Sequence, residues 1–183
     1  MAFGPGLTGD GLVLRAPVDE DVEAQRRLGR SAEIRRMLGV ASRSDETMTI
    51  AQARSWRDAL GRDESVEWIV EHEGAFLGVG RLHSFQVQHA QARYAVALFD
   101  ESKLGRGFGR TVTRLIMQYG FDELGLSAID LLVLDFNERA QRCYRACGFW
   151  EVERLPAGVM DHNRPAEDIR MIATPESFAA TNA

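Results

Sequence analysis

Apolar positions along the chain follow two periods, which change over where glycines and prolines interrupt the pattern. Short alternating or continuous apolar runs predict strands at Leu12–Arg15, Trp68–His72, Ala75–Phe85 and Ala92–Phe99. Glu73-Gly74 lies between the second and third of these, so they read as a hairpin. Ala128–Leu134 is almost wholly apolar, the pattern of a central strand covered on both faces. Phe149–Leu155 and Asp168–Ala173 complete the strands, with a polar loop between them containing Gly158, Asn163 and Pro165.

Helical spacing predicts a helix over Val18–Leu28, after Ala16-Pro17 has ended the first strand and with Asp19 or Asp21 as cap. Ile34–Leu38 continues in helical character, and Ala41–Glu46 is polar and loop-like. Thr49-x-x-Gln52 is a capping box opening a helix over Ile50–Leu60, with Trp56 and Leu60 on one side and Gly61 as its stop. Gln86–Gln91 reads as a polar turn. Val112, Leu115, Ile116 and Tyr119 share one face of a helix over Val112–Leu124, closed by Gly125. Glu138–Cys147 is a further helix, stopped by Gly148, and the tail after Glu176 is expected to fray. A strand, then helices, then a run of strands, then strand-helix alternation indicates one α/β domain over residues 1–183, built on a mixed sheet.

Composition adds few constraints. The 183 residues suffice for one well-buried core, and 45% apolar with 27% charged residues is ordinary for a globular chain. A formal net charge of −5 gives no footing for nonspecific nucleic-acid or membrane binding and leans slightly toward cationic partners. The opening residues show no secretory signal and no apolar run is long enough to span a bilayer, so a cytoplasmic location is expected. Cys143 and Cys147 stand four apart on one helix face, a spacing of neither a zinc set nor a redox pair; they read as core thiols, and no metal is expected.

Lys103-Leu104-Gly105-Arg106-Gly107-Phe108-Gly109-Arg110-Thr111 carries the first candidate chemistry. A glycine-rich turn feeding a helix start points several backbone N–H groups one way at the positive end of the helix dipole, where phosphate binds. Lys103, Arg106 and Arg110 add charge. A plain tight turn would look much the same, and the stretch lacks the Gly-Lys-Ser/Thr ending of nucleotide-binding loops.

A second element decides between these. Asn137-Glu138-Arg139-Ala140-x-x-Cys143-Tyr144-x-x-Cys147-Gly148-Phe149 is similar to the Asn-x-x-Ala-x-x-x-Tyr-x-x-x-Gly-Phe signature of the GCN5-related N-acetyltransferase (GNAT) family. Leu104-Gly105-Arg106-Gly107-Phe108-Gly109 resembles the family's Gln/Arg-x-x-Gly-x-Gly/Ala turn, with Leu104 in place of Gln or Arg. Leu12–Pro17 and the ending from Gly158 through Asp168-Ile169-Arg170-Met171 resemble the ribosomal-protein-alanine (RimJ/RimL-like) branch.

The resemblance implies a single-domain GNAT-like fold, a mixed and mostly antiparallel sheet of about six to seven strands flanked by about four helices. It implies acetyl-CoA as acyl donor, its pyrophosphate held by Leu104 to Thr111, with Asn137, Arg139 and Ala140 also at the donor and a backbone N–H near Leu98 or Phe99 meeting the acetyl oxygen. The implied acceptor is an amine, of a protein N-terminus, a polyamine or an aminoglycoside-like molecule, and a homodimer is compatible with it. Tyr144 matches the tyrosine near the CoA sulfur, and a phenol of pKa about 10 against a thiol of about 8.5 can donate a proton or strong hydrogen bond to the leaving thiolate.

No residue matches the Glu that many relatives use as base; Arg93-Tyr94 stands there instead, leaving Glu67, Glu71, His83 and Asp135 as candidates and Arg93 as a contact for an acidic acceptor or for solvent. The departures at Leu104 and Arg93-Tyr94 also suit a CoA-binding module without turnover, a competing reading that Tyr144 and Asn137 oppose.

Overall fold

A computed structural model describes residues 3–28, 31–40, 48–61 and 64–181. In chain order the elements are β1 (Leu7–Gly9), β2 (Leu12–Arg15), α1 (Glu20–Leu28), α2 (Ala32–Met37), α3 (Ile50–Ala59), β3 (Val66–His72), β4 (Ala75–Gln86), β5 (Gln91–Leu98), α4 (Phe108–Asp122), β6 (Ala128–Leu134), α5 (Glu138–Arg145), β7 (Trp150–Asp161), β8 (Arg164–Ala173) and α6 (Pro175–Ala179). The strands form one sheet in the order β1-β2-β3-β4-β5-β6-β8-β7, antiparallel throughout except for β5 beside β6. Among the described residues this gives eight strands and six helices, more of each than the sequence predicts. The expected loop at Ala41–Glu46 lies outside the described residues.

The additional elements have local causes. Asp10-Gly11 takes positive φ at both positions, +48° and +76°, and so folds β1 back onto β2 through a primed two-residue turn. β1 has only three residues and no apolar alternation to announce it. At the other edge, the predicted polar loop around Gly158 and Pro165 is strand, and the turn shrinks to His162-Asn163, again with both φ positive. β7 is the edge strand and almost wholly exposed, so it carries Pro156 and a register shift between Pro156 and Met160 at little cost. Helix α6 stands where fraying was expected: Thr174 and Ser177 close a reciprocal cap over it, with Pro175 in its first turn.

Two apolar clusters cover the sheet. Leu12, Leu14, Trp68, Tyr94, Ile116, Met117, Ile129, Leu131 and Met171 form the larger one, which includes residues of α4 and α5. Ile34, Ile69, Phe76 and Phe99 form the smaller, joined by Ala24, Leu28 and Trp56 of the early helices. Odd and even positions of β5 and β6 therefore serve different faces, as strand period requires.

One feature of the sheet positions the site. β5 and β6 pair only from Gln91↔Ala128 to Arg93↔Asp130; beyond that the strands separate and leave a cleft. The last paired position is pinned by charge. Arg93 donates to both carboxylate oxygens of Asp130 at 3.0 and 2.7 Å, and Arg170 of β8 adds a bond at 2.9 Å. Burial opposes ionisation of Asp130, but the two guanidiniums prevail and hold its carboxyl below the ordinary range. Such a group stabilises the fold above its unfolded pKa of about 4, and the contribution is lost as pH falls through the lower folded value. Asp130→Asn is therefore expected to lose roughly 2–3 kcal/mol at pH 7, with the gap to the parent chain closing below about pH 4. Urea unfolding at both pH values reads this out, and a gap independent of pH would contradict it.

Candidate active site

The cleft holds two adjoining cavities, one lined from α4 and α5, the other reaching β7 and β8. The first, about 410 Å³, is lined by the start of α4, the start of α5, the end of β5 and α2. The second, about 280 Å³, is lined by the separated stretches of β5 and β6, by α2, and by Ala157, Val159 and Asp168. Met37, Leu38, Val96, Asn137 and Tyr144 line both and mark the passage between them.

The start of α4 is built to receive an anion. Gly107 precedes the helix with φ +90°, a left-handed conformation that favours glycine, and has no side chain to cap the first turn. Arg110 and Thr111 N–H turn back to Gly107 O at 2.9 and 3.2 Å, whereas Phe108 and Gly109 begin the helix, where N–H groups have no intrahelical partner. Lys103, Arg110, Arg139 and Arg142 line the same cavity, so its rim is cationic although the chain as a whole is acidic. These donors fit the phosphates of acetyl-CoA.

Helix α5 uses its start differently. Asn137 accepts from Ala140 N–H at 3.2 Å and donates through Nδ2 to Met37 O at 3.3 Å, so it caps α5 and ties α2 to it across the cleft. Arg36 reinforces the tie, bonding Asp161 at 2.8 Å and lying 4.8 Å over the Phe136 ring. Seven residues after Asn137, Tyr144 is buried at the passage, edge-on to Tyr94 at 6.2 Å and to Phe149 at 5.9 Å. Burial pushes the Tyr144 phenol well above its ordinary pKa, so it stays protonated through the physiological range. Tyr94 is itself fixed: its hydroxyl and that of Thr113 lie 3.0 Å apart, and Thr113 donates to Gly109 O at 2.6 Å. That chain links Tyr94, the ring against which Tyr144 packs, to the glycine turn, and nothing in the sequence spacing announces it.

Most of the residues singled out in the sequence converge here. Leu98, Leu104, Gly105, Gly107, Phe108, Gly109, Arg110, Asn137, Arg139, Ala140 and Tyr144 all line the first cavity. Three do not. Arg106 is exposed at the outer side of the turn, and Thr111 donates to Asp10 at 2.9 Å. Phe99 is buried in the smaller core cluster, and its N–H is taken by Leu77 O of the neighbouring segment at 2.9 Å. Strand alternation then turns the Leu98 and Val96 N–H groups the other way, toward the gap left by β6. Cys143 lines the cavity rather than the core, and Cys147 is buried behind it; a hydrogen bond between the thiols lowers Cys143 and raises Cys147.

The sequence of the acetyltransferase (GNAT) domain family matches residues 11–150, more than half of the chain. The chain belongs to the GNAT acetyltransferase family. Within it, an uncharacterized N-acetyltransferase of Bacillus subtilis (strain 168), YoaA, is 26% identical over 147 residues, 79% of this chain and 82% of that one. Spermidine N(1)-acetyltransferase of Escherichia coli (strain K12) is 32% identical over 82 residues, 45% of this chain and 44% of its own length. The fold matches Vibrio cholerae spermidine N-acetyltransferase, solved in complex with CoA and spermine, with a TM-score of 0.76 at 21% identity over 93% of this chain and 99% of that one. A Bacillus anthracis GNAT acetyltransferase matches with the same TM-score of 0.76 at 14% identity, over 94% and 99%. The neighbours are spermidine-acetyltransferase-like and YoaA-like; they show the GNAT family and do not confirm the ribosomal-protein-alanine branch that the two chain ends resemble.

As a GNAT acetyltransferase the chain needs a way to deprotonate its acceptor, and none of the four base candidates reaches the cleft. Glu71 is bound by Arg15 at 2.7 Å, and Asp135 by Arg164 at 2.6 Å. Glu67 is buried beside Ser65, 3.1 Å from its hydroxyl, and His83 lies 2.9 Å from the Ser84 hydroxyl. Arg93 faces no acceptor, since Asp130 occupies its guanidinium. The acid that does line the cleft is Asp168 of β8, which the sequence offers only as the first residue of a last strand.

Proposed function

We propose that this acetyltransferase moves the acetyl group of acetyl-CoA to a primary amine by direct attack on the thioester, with a polyamine as the acceptor class. The continuous passage from the uncapped, cationic start of α4 to the buried Tyr144 supports the first half of this reading. The spermidine acetyltransferases among its relatives support the second.

In this reading Phe108 and Gly109 N–H with Lys103, Arg110 and Arg139 hold the phosphates. The Leu98 N–H meets the acyl oxygen and stabilises the charge that grows on it as the carbonyl is attacked. The neutral amine places its lone pair on the acyl carbon, the carbon–nitrogen bond forms, and the carbon–sulfur bond then breaks. Tyr144 donates its hydroxyl proton or a strong hydrogen bond to the departing thiolate, giving free CoA, and recovers a proton from solvent. A primary ammonium enters with three protons on nitrogen and leaves as an amide with one; CoA keeps one of those lost, and one is released. Leu104 leaves no side-chain contact to phosphate, and the backbone carries that role.

Incubation with acetyl-CoA and a panel of spermidine, spermine, a peptide with a free N-terminus and an aminoglycoside, following thiol release, tests the reading. Release that depends on a polyamine is expected. Tight acetyl-CoA binding with no release on any amine would favour a CoA-binding module instead.

A further inference from the structure

We propose that Asp168 receives the acceptor's ammonium and takes its proton, in a subsite shaped for an unbranched alkyl primary amine. The proposal rests on the acyl-transfer reading and supplies the base that reading lacks.

Placement comes first. Asp168 pairs with Leu134 of β6 on one side and with Leu155 of β7 on the other, so it stands on the β6–β8–β7 side of the cleft, at the level where β6 has parted from β5. It lines the second cavity together with Tyr144, the residue facing the leaving sulfur. An acceptor occupying that cavity therefore approaches the thioester from the side opposite the α4 phosphate cradle, with an acid and a phenol on its path.

Charge comes next. Among the described residues Asp168 is the one acid lining the cavity. Acids near it in the fold are already held: Asp130 between Arg93 and Arg170, Asp135 by Arg164, and Asp161 by Arg36 at 2.8 Å. Among the described residues no such cation is paired with Asp168. Burial raises its pKa, and attraction from Arg93, whose guanidinium belongs to Asp130, offsets only part of this. A carboxylate that is half-buried, with its pKa raised by that burial, is suited to accept a proton from an ammonium and to pass it on. The other titratable groups lining the cavity are Tyr94 and Tyr144, both held neutral by burial; α2 with its cap, β6 and β7 contribute Met37, Leu38, Leu132, Val133, Leu134, Ala157 and Val159.

The walls set the class of acceptor. Those seven side chains are apolar while Asp168 and Asn137 are polar, so the cavity of about 280 Å³ gives methylene groups a side to lie along and a nitrogen a carboxylate to meet. One carboxylate serves one ammonium. A polyamine arm fits with its reacting nitrogen at Asp168 and its methylenes along the apolar wall, its remaining ammonium groups lying beyond the cavity. A simple alkylamine fits equally well, so charge beyond the first ammonium is not what the subsite reads.

The test uses Asp168→Asn, close in shape, in the full chain. With acetyl-CoA saturating, kcat/KM for spermidine and for a monoamine of matching length is expected to fall about 100-fold, and the acidic limb of the parent's pH profile to flatten. Acetyl-CoA affinity by calorimetry should not change. Because a raised carboxyl opposes folding once it ionises, Tm at pH 7 should hold or rise. Asp168→Glu should restore part of the rate. Parent-like kcat/KM for Asp168→Asn across the pH range would overturn the role of Asp168 while leaving acetyl transfer intact, and a loss of activity accompanied by lower Tm and weaker acetyl-CoA binding would show a structural role instead. A parent chain that turns over no amine would overturn the acyl-transfer reading, and the role of Asp168 with it.

Discussion

Tyr144→Phe is expected to lower turnover about 100- to 10,000-fold and leave acetyl-CoA affinity within about twofold. The substitution keeps the ring that packs edge-on against Tyr94 and Phe149, so the passage between the cavities keeps its shape. Only the hydroxyl is lost. Burial holds that hydroxyl protonated, so at working pH it acts as a donor, and the group with most to gain from a donor here is a thiolate leaving a carbonyl. Steady-state rates with calorimetric acetyl-CoA binding separate the two effects. Unchanged turnover would remove Tyr144 from the chemistry, and a fall in affinity equal to the fall in rate would make it a packing residue.

Gly78→Ala should damage both the fold and the donor site. Gly78 of β4 pairs with Leu98, and a Cβ there would lie 2.1 Å from Ala97 O and 2.9 Å from Leu98 Cα. Both obstacles are backbone, so no rotamer change relieves them and the end of β5 must move. Gly80, two residues on, makes a contrast: its Cβ would meet the Cδ1 tip of Ile116 at 2.6 Å, which can swing aside. Gly78→Ala is expected to cost about 3 kcal/mol, roughly 6–12 °C in Tm for a chain of this size. It should also weaken acetyl-CoA binding, because the displaced segment carries the Leu98 N–H. A chain with parent-like Tm and affinity would show that β5 is not held by this close approach.

The parts of this molecule that the sequence made legible are those coded within a few residues. Thr49 and Gln52 form their reciprocal cap, Glu73-Gly74 turns the β3–β4 hairpin, the even positions of β5 bury as their alternation predicts, and β6 is covered on both faces as its apolar run predicts, except at exposed Leu132. The glycine turn and the Asn137 to Tyr144 spacing bring the donor side together because each is one loop feeding one helix. What the sequence concealed depends on partners far apart in the chain. The sequence leaves Arg93 to meet either an acidic acceptor or solvent, whereas in the fold its fork holds Asp130, 37 positions on. Asp168 gained its place only when β8 inserted between β6 and β7, an order no local pattern specifies. The second half of β7, from Pro156 to Asp161, is hidden for a different reason: an exposed edge strand needs neither alternation nor freedom from proline. Phe99 fell to a one-residue question, since adjacent strand positions point their N–H groups in opposite directions.

In the proposed reaction the two adjoining cavities bring a thioester and an amine together at Tyr144. The most direct measurement is mass spectrometry of the products formed from isotopically labelled acetyl-CoA and spermidine. One labelled acetyl group on a spermidine nitrogen for each CoA released is the result expected, reduced in parallel by Tyr144→Phe. Label remaining on CoA, or lost only to water at the same rate with and without amine, would contradict it.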